Sequence, residues 1–192
     1  MTTALNSITK LAHKLISVKS SCENKMNLKK ALSIALRPLE NYKTRRFEKN
    51  GVVSVLVYNN KYYGTKDTFK VLLNGHLDVV PGNENQYIPQ VRGNRLYGVG
   101  AMDMKASIVC LIYAFKDVAN KINYPLGLQI VTDEEIGGFN GTKYQIDKGV
   151  RADFVIAGES SDLNIKNRMK GILWVKISTK GKSAHGAYPW RG

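Results

Sequence analysis

Short apolar segments that are typical of buried strands alternate along this chain with segments that have helical periodicity. Strands are predicted at residues 52–58, 69–73, 126–132, 153–157 and 172–178. Helices are predicted over residues 4–19, 27–39, 104–120 and 142–148. Because helices alternate with apolar strands over residues 69–157, the pattern favours an α/β protein with three α/β/α layers and a mostly parallel central sheet.

Ionisable side chains follow three of these strands at the point where each strand ends. His76 and Asp78 follow the first, residues 133–135 (Asp-Glu-Glu) the second and Glu159 the third, while Asp103 precedes the longest predicted helix. Ligands of open α/β sheets bind at the carboxyl ends of the strands. Crowded carboxylates must take up protons or a cation, and imidazole with several carboxylates suits zinc or a similar divalent metal.

Each of these residues also has a simpler interpretation when it is taken alone. His76 and Asp78 are consistent with a surface turn after a strand, and Asp103 with an N-cap of the following helix. The acids at 133–135 are consistent with a solvated loop, and Glu159 with a turn cap. Their joint occurrence at strand ends, in this order, favours a shared site.

The strong positive charge supports a different class of function. The chain carries 29 Lys and Arg against 15 Asp and Glu, a formal charge of +14, and residues 1–70 hold 14 of the basic residues but only four acids. Such a charge is typical of nucleic-acid-binding domains, but no zinc-finger, basic leucine zipper or aromatic RNA-binding pattern accompanies it. The alternatives to a metal site are therefore a basic nucleic-acid-binding domain and a non-catalytic interaction domain on the same fold. We expect neither nucleic acid nor a membrane as the main partner.

Cysteine content and hydropathy bear on the compartment. Cys22 and Cys110 are too few for a disulfide scaffold, and Cys110 is predicted to lie in the core. The longest apolar run has eight residues, whereas a membrane span needs about 20. The N-terminus lacks the basic-then-apolar pattern of a signal peptide. We therefore expect a cytoplasmic protein.

Five ordered segments together resemble a known enzyme family. They are residues 74–81 (NGHLDVVP), 98–105 (GVGAMDMK), 132–138 (TDEEIGG), 157–159 (AGE) and 181–189 (GKSAHGAYP). Their order and spacing resemble the zinc-dependent aminoacylase and exopeptidase family, which includes succinyl-diaminopimelate desuccinylase, acetylornithine deacetylase, glutamate carboxypeptidase and related dipeptidases. The resemblance implies the co-catalytic zinc exopeptidase fold and hydrolysis of the amide bond of N-acyl amino acids or small peptides.

The resemblance also implies a set of metal ligands. Asp103 would bridge two Zn²⁺ ions, His76 and Glu159 would complete the protein ligands of the first, and Glu135 would bind the second. Co²⁺ or Mn²⁺ would be substitutes. Two metals clamp and acidify a water molecule, which is the chemistry that amide hydrolysis requires.

Further roles follow from the same resemblance. Asp78 would orient His76, and Glu134 would be the general base that acts on the water. His185 would reach into the partner's site of a homodimer and stabilise the developing oxyanion. The peptide bond after Asp103 is predicted to be cis, as is common in this family.

Finally, the resemblance predicts that this chain is incomplete. Members of the family are nearly twice as long, so residues 1–179 would form an incomplete catalytic metal-binding domain and residues 180–192 the start of a lid and dimerisation domain. A histidine ligand of the second metal would lie further downstream. We therefore expect a weakly active or inactive fragment with exposed apolar surface. Residues 168–171 match the arginine pattern of desuccinylases only in part, which leaves the acyl group open.

Overall fold

The computed structural model describes residues 2–59, 61, 68–173 and 175–192. These residues form two compact units, Met1–Ser160 and Ser161–Gly192. None of the helices in the described part of the chain has the length and apolarity that crossing a bilayer requires.

The described residues of the first unit form seven strands and four α-helices. The strands are β1 (Lys43–Lys49), β2 (Val52–Tyr58), β3 (Thr68–His76), β4 (Gln90–Arg92), β5 (Arg95–Tyr97), β6 (Leu126–Val131) and β7 (Arg151–Ala157). The helices are α1 (Thr2–Ile16), α2 (Lys25–Leu36), α3 (Ala106–Val118) and α4 (Thr142–Asp147). Strands β4 and β5 form a small antiparallel pair of their own.

The main sheet has five strands in the order β1-β2-β6-β3-β7. The central strand β3 pairs in parallel with both of its neighbours, β6 and β7, whereas β2 is antiparallel to β6 and to β1. In this register His76 lies opposite Val131, and Asn74 opposite Ala157. The carboxyl ends of the three parallel strands therefore meet at one edge of the sheet.

Apolar packing on both faces of the sheet produces three layers. Helices α1, α2 and α3 pack on one face, where α3 alone buries Ile108, Val109, Ile112 and Phe115. Helix α4 packs beside a smaller cluster on the opposite face, where Phe69 is completely buried. This arrangement confirms the predicted α/β class.

Four local expectations differ from the structure. Strand β1 was not predicted, because its sequence KTRRFEK is mostly charged and only Phe47 is buried. Helix α2 begins earlier than expected, since the side chain of Asn24 accepts the N–H of Asn27 and forms the N-cap. Cys110 is exposed and does not lie in the core, because it sits on the outward side of α3.

The fourth difference is the strand predicted at residues 172–178. Its described residues lie outside any strand, and their apolar side chains are exposed, among them Ile172 at 80% and Ile177 at 85%. An alternating apolar pattern forms a strand only where a neighbouring strand supplies hydrogen-bond partners. No strand among the described residues pairs with this segment.

Exposed apolar side chains also mark the edge strand β7. Phe154 is 62%, Val155 54% and Ile156 42% exposed. Edge strands with apolar side chains and free backbone groups are unusual in isolated domains. The expectation of exposed apolar surface is met at this strand.

Candidate metal centre

The ends of the three parallel strands bring an imidazole and two carboxylates together. His76 is the last residue of β3, and Glu134 and Glu159 follow β6 and β7. The Nε2 atom of His76 lies 3.7 Å from Glu134 Oε2 and 3.7 Å from Glu159 Oε1. Glu134 and Glu159 follow His76 by 58 and 83 positions in sequence. They become its neighbours because all three strands end at the same edge of the sheet.

Asp103 reaches the same edge from the turn that precedes α3. The turn begins at Gly100, whose φ of 75° lies in the left-handed region, and the peptide bond between Asp103 and Met104 is cis, as predicted. The Oδ1 atom of Asp103 lies 3.0 Å from His76 Nε2. The alternative interpretation of Asp103 as an N-cap is wrong, because the N-cap position of α3 is Lys105 and no side chain caps it.

The turn before Asp103 leaves no room for a side chain at Gly100. A Cβ atom there would lie 2.6 Å from Val79 Cγ1 and 3.0 Å from Lys105 Cδ. Gly93 also has a positive φ, of 60°, but has nothing within 4 Å of such an atom. We expect Gly93→Ala to lower the free energy of unfolding by about 1–2 kcal/mol for the backbone conformation alone, and Gly100→Ala by about 1–3 kcal/mol more because of overpacking. Urea unfolding of the two variants measures the difference, and equal losses would contradict the crowding at Gly100.

The donor set fits a divalent cation. One ligand atom from each of His76, Asp103 and Glu135 can be chosen so that all three lie within 4.8 Å of one another. Zinc binds imidazole nitrogen and carboxylate oxygen at about 2.0–2.2 Å, so donor atoms at this spacing are close enough together to ligate divalent cations. Glu159 also approaches the same His76 nitrogen, with Oε1 at 3.7 Å.

Hydrogen bonds fix the ring of His76. The ring is 1% exposed, and its Nδ1 atom donates to the backbone oxygen of Asp78 at 2.9 Å. A carbonyl oxygen can only accept, so Nδ1 carries a hydrogen and Nε2 is directed at the carboxylates. The Oδ1 atom of Asp78 lies 3.4 Å from Nδ1. This geometry is the one in which a metal-binding histidine is oriented by its second nitrogen.

Charges in the cluster shift the pKa values of its members. Burial opposes protonation of His76, but Asp78, Glu159 and Glu134 outweigh burial and raise the pKa of its imidazole to about 9. Burial and the neighbouring Asp103 raise the pKa of Glu135, and burial with the same carboxylate raises that of Glu159. Burial also opposes ionisation of Asp78, but the hydrogen bond and charge of His76 lower the pKa of its carboxyl. The carboxylates that face His76 Nε2 repel one another when they are ionised, and this repulsion favours a bound cation.

Asp133, the first acid of the predicted run, does not join the cluster. Its side chain is buried, and its Oδ2 atom accepts the backbone N–H groups of Asn140 at 2.8 Å and Gly141 at 3.0 Å. The carboxylate therefore holds the turn that follows Glu134 and Glu135. The sequence alone does not distinguish this structural acid from its two neighbours.

His185 lies in the second unit, Ser161–Gly192, where it is exposed. Its Nδ1 atom accepts the N–H of Ala187 at 3.2 Å, and its ring centroid lies 6.0 Å from that of Tyr188. Its expected role at a partner's site stays a prediction.

An α/β sheet with imidazole and carboxylate donors at its carboxyl edge defines a protein with a candidate divalent-metal centre. The model of Peptidase family M20/M25/M40 matches residues 72–190. The chain therefore belongs to this family, which confirms the resemblance found in its sequence.

Curated relatives agree with this assignment. A probable carboxypeptidase from Aspergillus terreus is 34% identical over 134 residues, which cover 64% of this chain and 30% of the relative. A succinyl-diaminopimelate desuccinylase from Sulfurimonas denitrificans is 31% identical over 164 residues, which cover 79% of this chain and 44% of the relative. The chain thus spans less than half the length of these relatives.

Solved structures share the fold at low sequence identity. Human carnosine dipeptidase 1 has a TM-score of 0.65 at 18% identity, covering 79% of this chain and 38% of that one. The M20 family metallo-carboxypeptidase Sso-CP2 from Sulfolobus solfataricus has a TM-score of 0.64 at 20% identity, covering 79% and 37%. These similarities support the α/β architecture.

Proposed function

We propose that the full-length protein is a metal-dependent hydrolase that cleaves the amide bond of N-acyl amino acids or small peptides. The observation that carries the proposal is the convergence of His76, Asp103 and Glu135 within 4.8 Å in a chain of Peptidase family M20/M25/M40. The names of the relatives, desuccinylase and carboxypeptidase, support acyl amino acids or peptides as the substrate class.

The proposed ligand roles follow the family resemblance and are supported by the geometry. Asp103, 3.0 Å from His76 Nε2, would lie between two cations. His76 and Glu159 would bind the first cation, and Glu135 the second. Zn²⁺ is the preferred ion for this donor set, with Co²⁺ or Mn²⁺ as substitutes. Bound cations would polarise the scissile carbonyl and lower the pKa of a water molecule.

Glu134 is the proposed general base. Its side chain is 52% exposed, so it reaches solvent, and its Oε2 atom lies 3.7 Å from His76 Nε2 at the edge of the donor cluster. A carboxylate in this position would accept a proton from the attacking water at Oε2 and pass it to the nitrogen of the leaving amine. Asp78 would keep His76 oriented while these protons move.

The proposal extends to the assembly and the compartment. Residues 180–192 would begin a lid and dimerisation domain, after a catalytic domain that includes residues 1–179. His185 would stabilise the oxyanion in the partner's site of a homodimer, a role that its exposed position supports. A cytoplasmic location is favoured by two free cysteines, Cys22 and Cys110.

Hydrolysis by the full-length protein tests the proposal. We expect release of free amine from at least one member of a panel of N-acetyl amino acids, N-succinyl amino acids and dipeptides. Activity should be lost on treatment with 1,10-phenanthroline and restored by added Zn²⁺, because the donor set holds the ion reversibly. Hydrolysis that survives chelation would contradict the metal centre. Absence of hydrolysis, together with tight DNA or RNA binding at physiological salt, would favour the nucleic-acid alternative.

A further inference from the structure

The segment between α1 and α2 contacts both of the chain segments that carry His76 and Asp103. This segment, residues 18–22 with the sequence VKSSC, is hereafter the 18–22 segment. It lies more than 50 residues before His76 in sequence, and none of the family motifs includes it. Its contacts nevertheless converge on the proposed metal centre.

Backbone pairing joins the 18–22 segment to the residues just after His76. The hydroxyl of Ser20 donates to the backbone oxygen of Leu77 at 2.7 Å. The N–H of Val79 donates to the backbone oxygen of Ser20 at 3.1 Å, and Ser21 forms a parallel bridge with Val79. Ser20 and Leu77 are completely buried, so water does not compete for these bonds.

The thiol of Cys22 contacts the side chain that faces His76. Its Sγ atom donates to Asp78 Oδ2 at 3.2 Å, and the N–H of Glu135 donates to the same oxygen at 2.9 Å. With Oδ2 held by two donors, the other oxygen, Oδ1, is directed toward His76 Nδ1 at 3.4 Å. Without the thiol, Oδ2 of Asp78 would keep only the N–H of Glu135 as a donor.

A second hydrogen bond connects the 18–22 segment to the turn that carries Asp103. Lys105 is completely buried, and its Nζ atom donates to the backbone oxygen of Val18 at 2.8 Å. A buried amino group without solvent contact needs such an acceptor, so this bond is costly to break. Lys105 is two residues from Asp103, so this hydrogen bond anchors the turn that carries the proposed bridging ligand.

We propose that the 18–22 segment is a positioning element of the metal centre. It holds the His76 and Asp103 segments at a fixed separation, with Cys22 and Lys105 as positioning residues. Cys22 acts through Asp78 on the orientation of His76, and Lys105 acts through Val18 on the turn of Asp103. This inference rests on the proposed function, because it assigns the segment to the ligands of that site.

Cobalt affinity of the full-length protein tests the role of the thiol. Removal of a residue that supports a metal-binding histidine typically costs 10–100-fold in affinity. Because Cys22 acts one residue further away, we expect Cys22→Ala to weaken Co²⁺ binding, followed by its visible absorption, by roughly tenfold, at the lower end of that range. Cys22→Ser keeps a donor and should restore the affinity. Cys110→Ala is the matched control on an exposed cysteine and should leave the affinity unchanged.

Hydrogen exchange of the Glu135 amide provides a readout that does not depend on metal. After chelation, exchange should be faster in Cys22→Ala than in the unsubstituted protein and should slow again in Cys22→Ser, because Asp78 is the acceptor of that amide. Ser20→Ala should likewise speed exchange of the Val79 amide, which donates to the Ser20 backbone.

The outcomes separate this inference from the proposed function. If the unsubstituted protein binds no cobalt, the proposed metal centre fails, and the exchange measurements still decide whether the segment positions Asp78. Equal exchange rates and equal cobalt affinities in Cys22→Ala and the unsubstituted protein would overturn the inference. A Cys22→Ser variant as impaired as Cys22→Ala would also overturn it, because the thiol would then act by packing and not as a donor.

Discussion

Replacement of Glu134 by glutamine should lower turnover by the full-length protein by about a hundredfold or more while its metal content stays the same. Glutamine has nearly the volume of glutamate, but its amide cannot accept the proton of the attacking water. Glu134 is not among the four proposed ligands, so its replacement removes none of them. Steady-state hydrolysis rates and elemental analysis of the same preparation measure both halves of this prediction.

The matched control for this variant is Glu40→Gln. Glu40 is an exposed residue at the end of the short turn after α2, outside the site. It loses the same charge and should retain full turnover. If Glu134→Gln kept its rate within a factor of a few, the base would have to be another group. If it lost metal together with activity, Glu134 would be a ligand.

The chemistry at the ends of the strands could be predicted from the sequence because two local rules act together there. Apolar runs such as residues 126–132 fix where strands lie, and parallel strands end at a common edge. The polar residues that follow, His76 and Glu159 among them, are then brought together by topology. The register of β3 with β6 and β7 places these ends side by side.

Which of the three acids after β6 faces the site could not be predicted in the same way. Asp133 is buried on the amides of Asn140 and Gly141, whereas Glu134 is exposed near His76. The difference arises from a tight turn at Glu134–Ile136, which ends at Gly137 with a φ of 100°. Which acid faces the site thus depends on turn geometry, which the composition of the run does not specify.

The residues that support the site could not be predicted from any local sequence pattern. Cys22 meets Asp78 across 56 residues of sequence, and Lys105 meets Val18 across 87. Such contacts follow from how α1 and α3 pack on the sheet and not from any periodicity. Strand β1 was not predicted for a related reason. It is an edge strand that buries only Phe47, so its sequence lacks the apolar pattern of a central strand.

Zinc binding should be abolished when His76 and Asp103 are both replaced by alanine. The pair supplies the buried imidazole and the carboxylate that lies 3.0 Å from it, so the remaining glutamates are left as ordinary exposed or half-buried acids. Carboxylates alone hold zinc weakly compared with a site that contains imidazole. Elemental analysis after zinc loading and gel filtration should find at least one ion per unsubstituted chain and none in the double variant.

The control is a double variant that also replaces one histidine and one aspartate, both on the surface and away from the site. His13 is exposed on α1 and Asp117 is exposed on α3, where it pairs with Lys121. His13→Ala with Asp117→Ala should keep the full zinc content, since neither residue approaches the sheet edge. Equal loss in both double variants would show that zinc was held by scattered surface groups. Loss confined to the His76 and Asp103 variant would instead place the bound zinc at the sheet edge where these two residues meet.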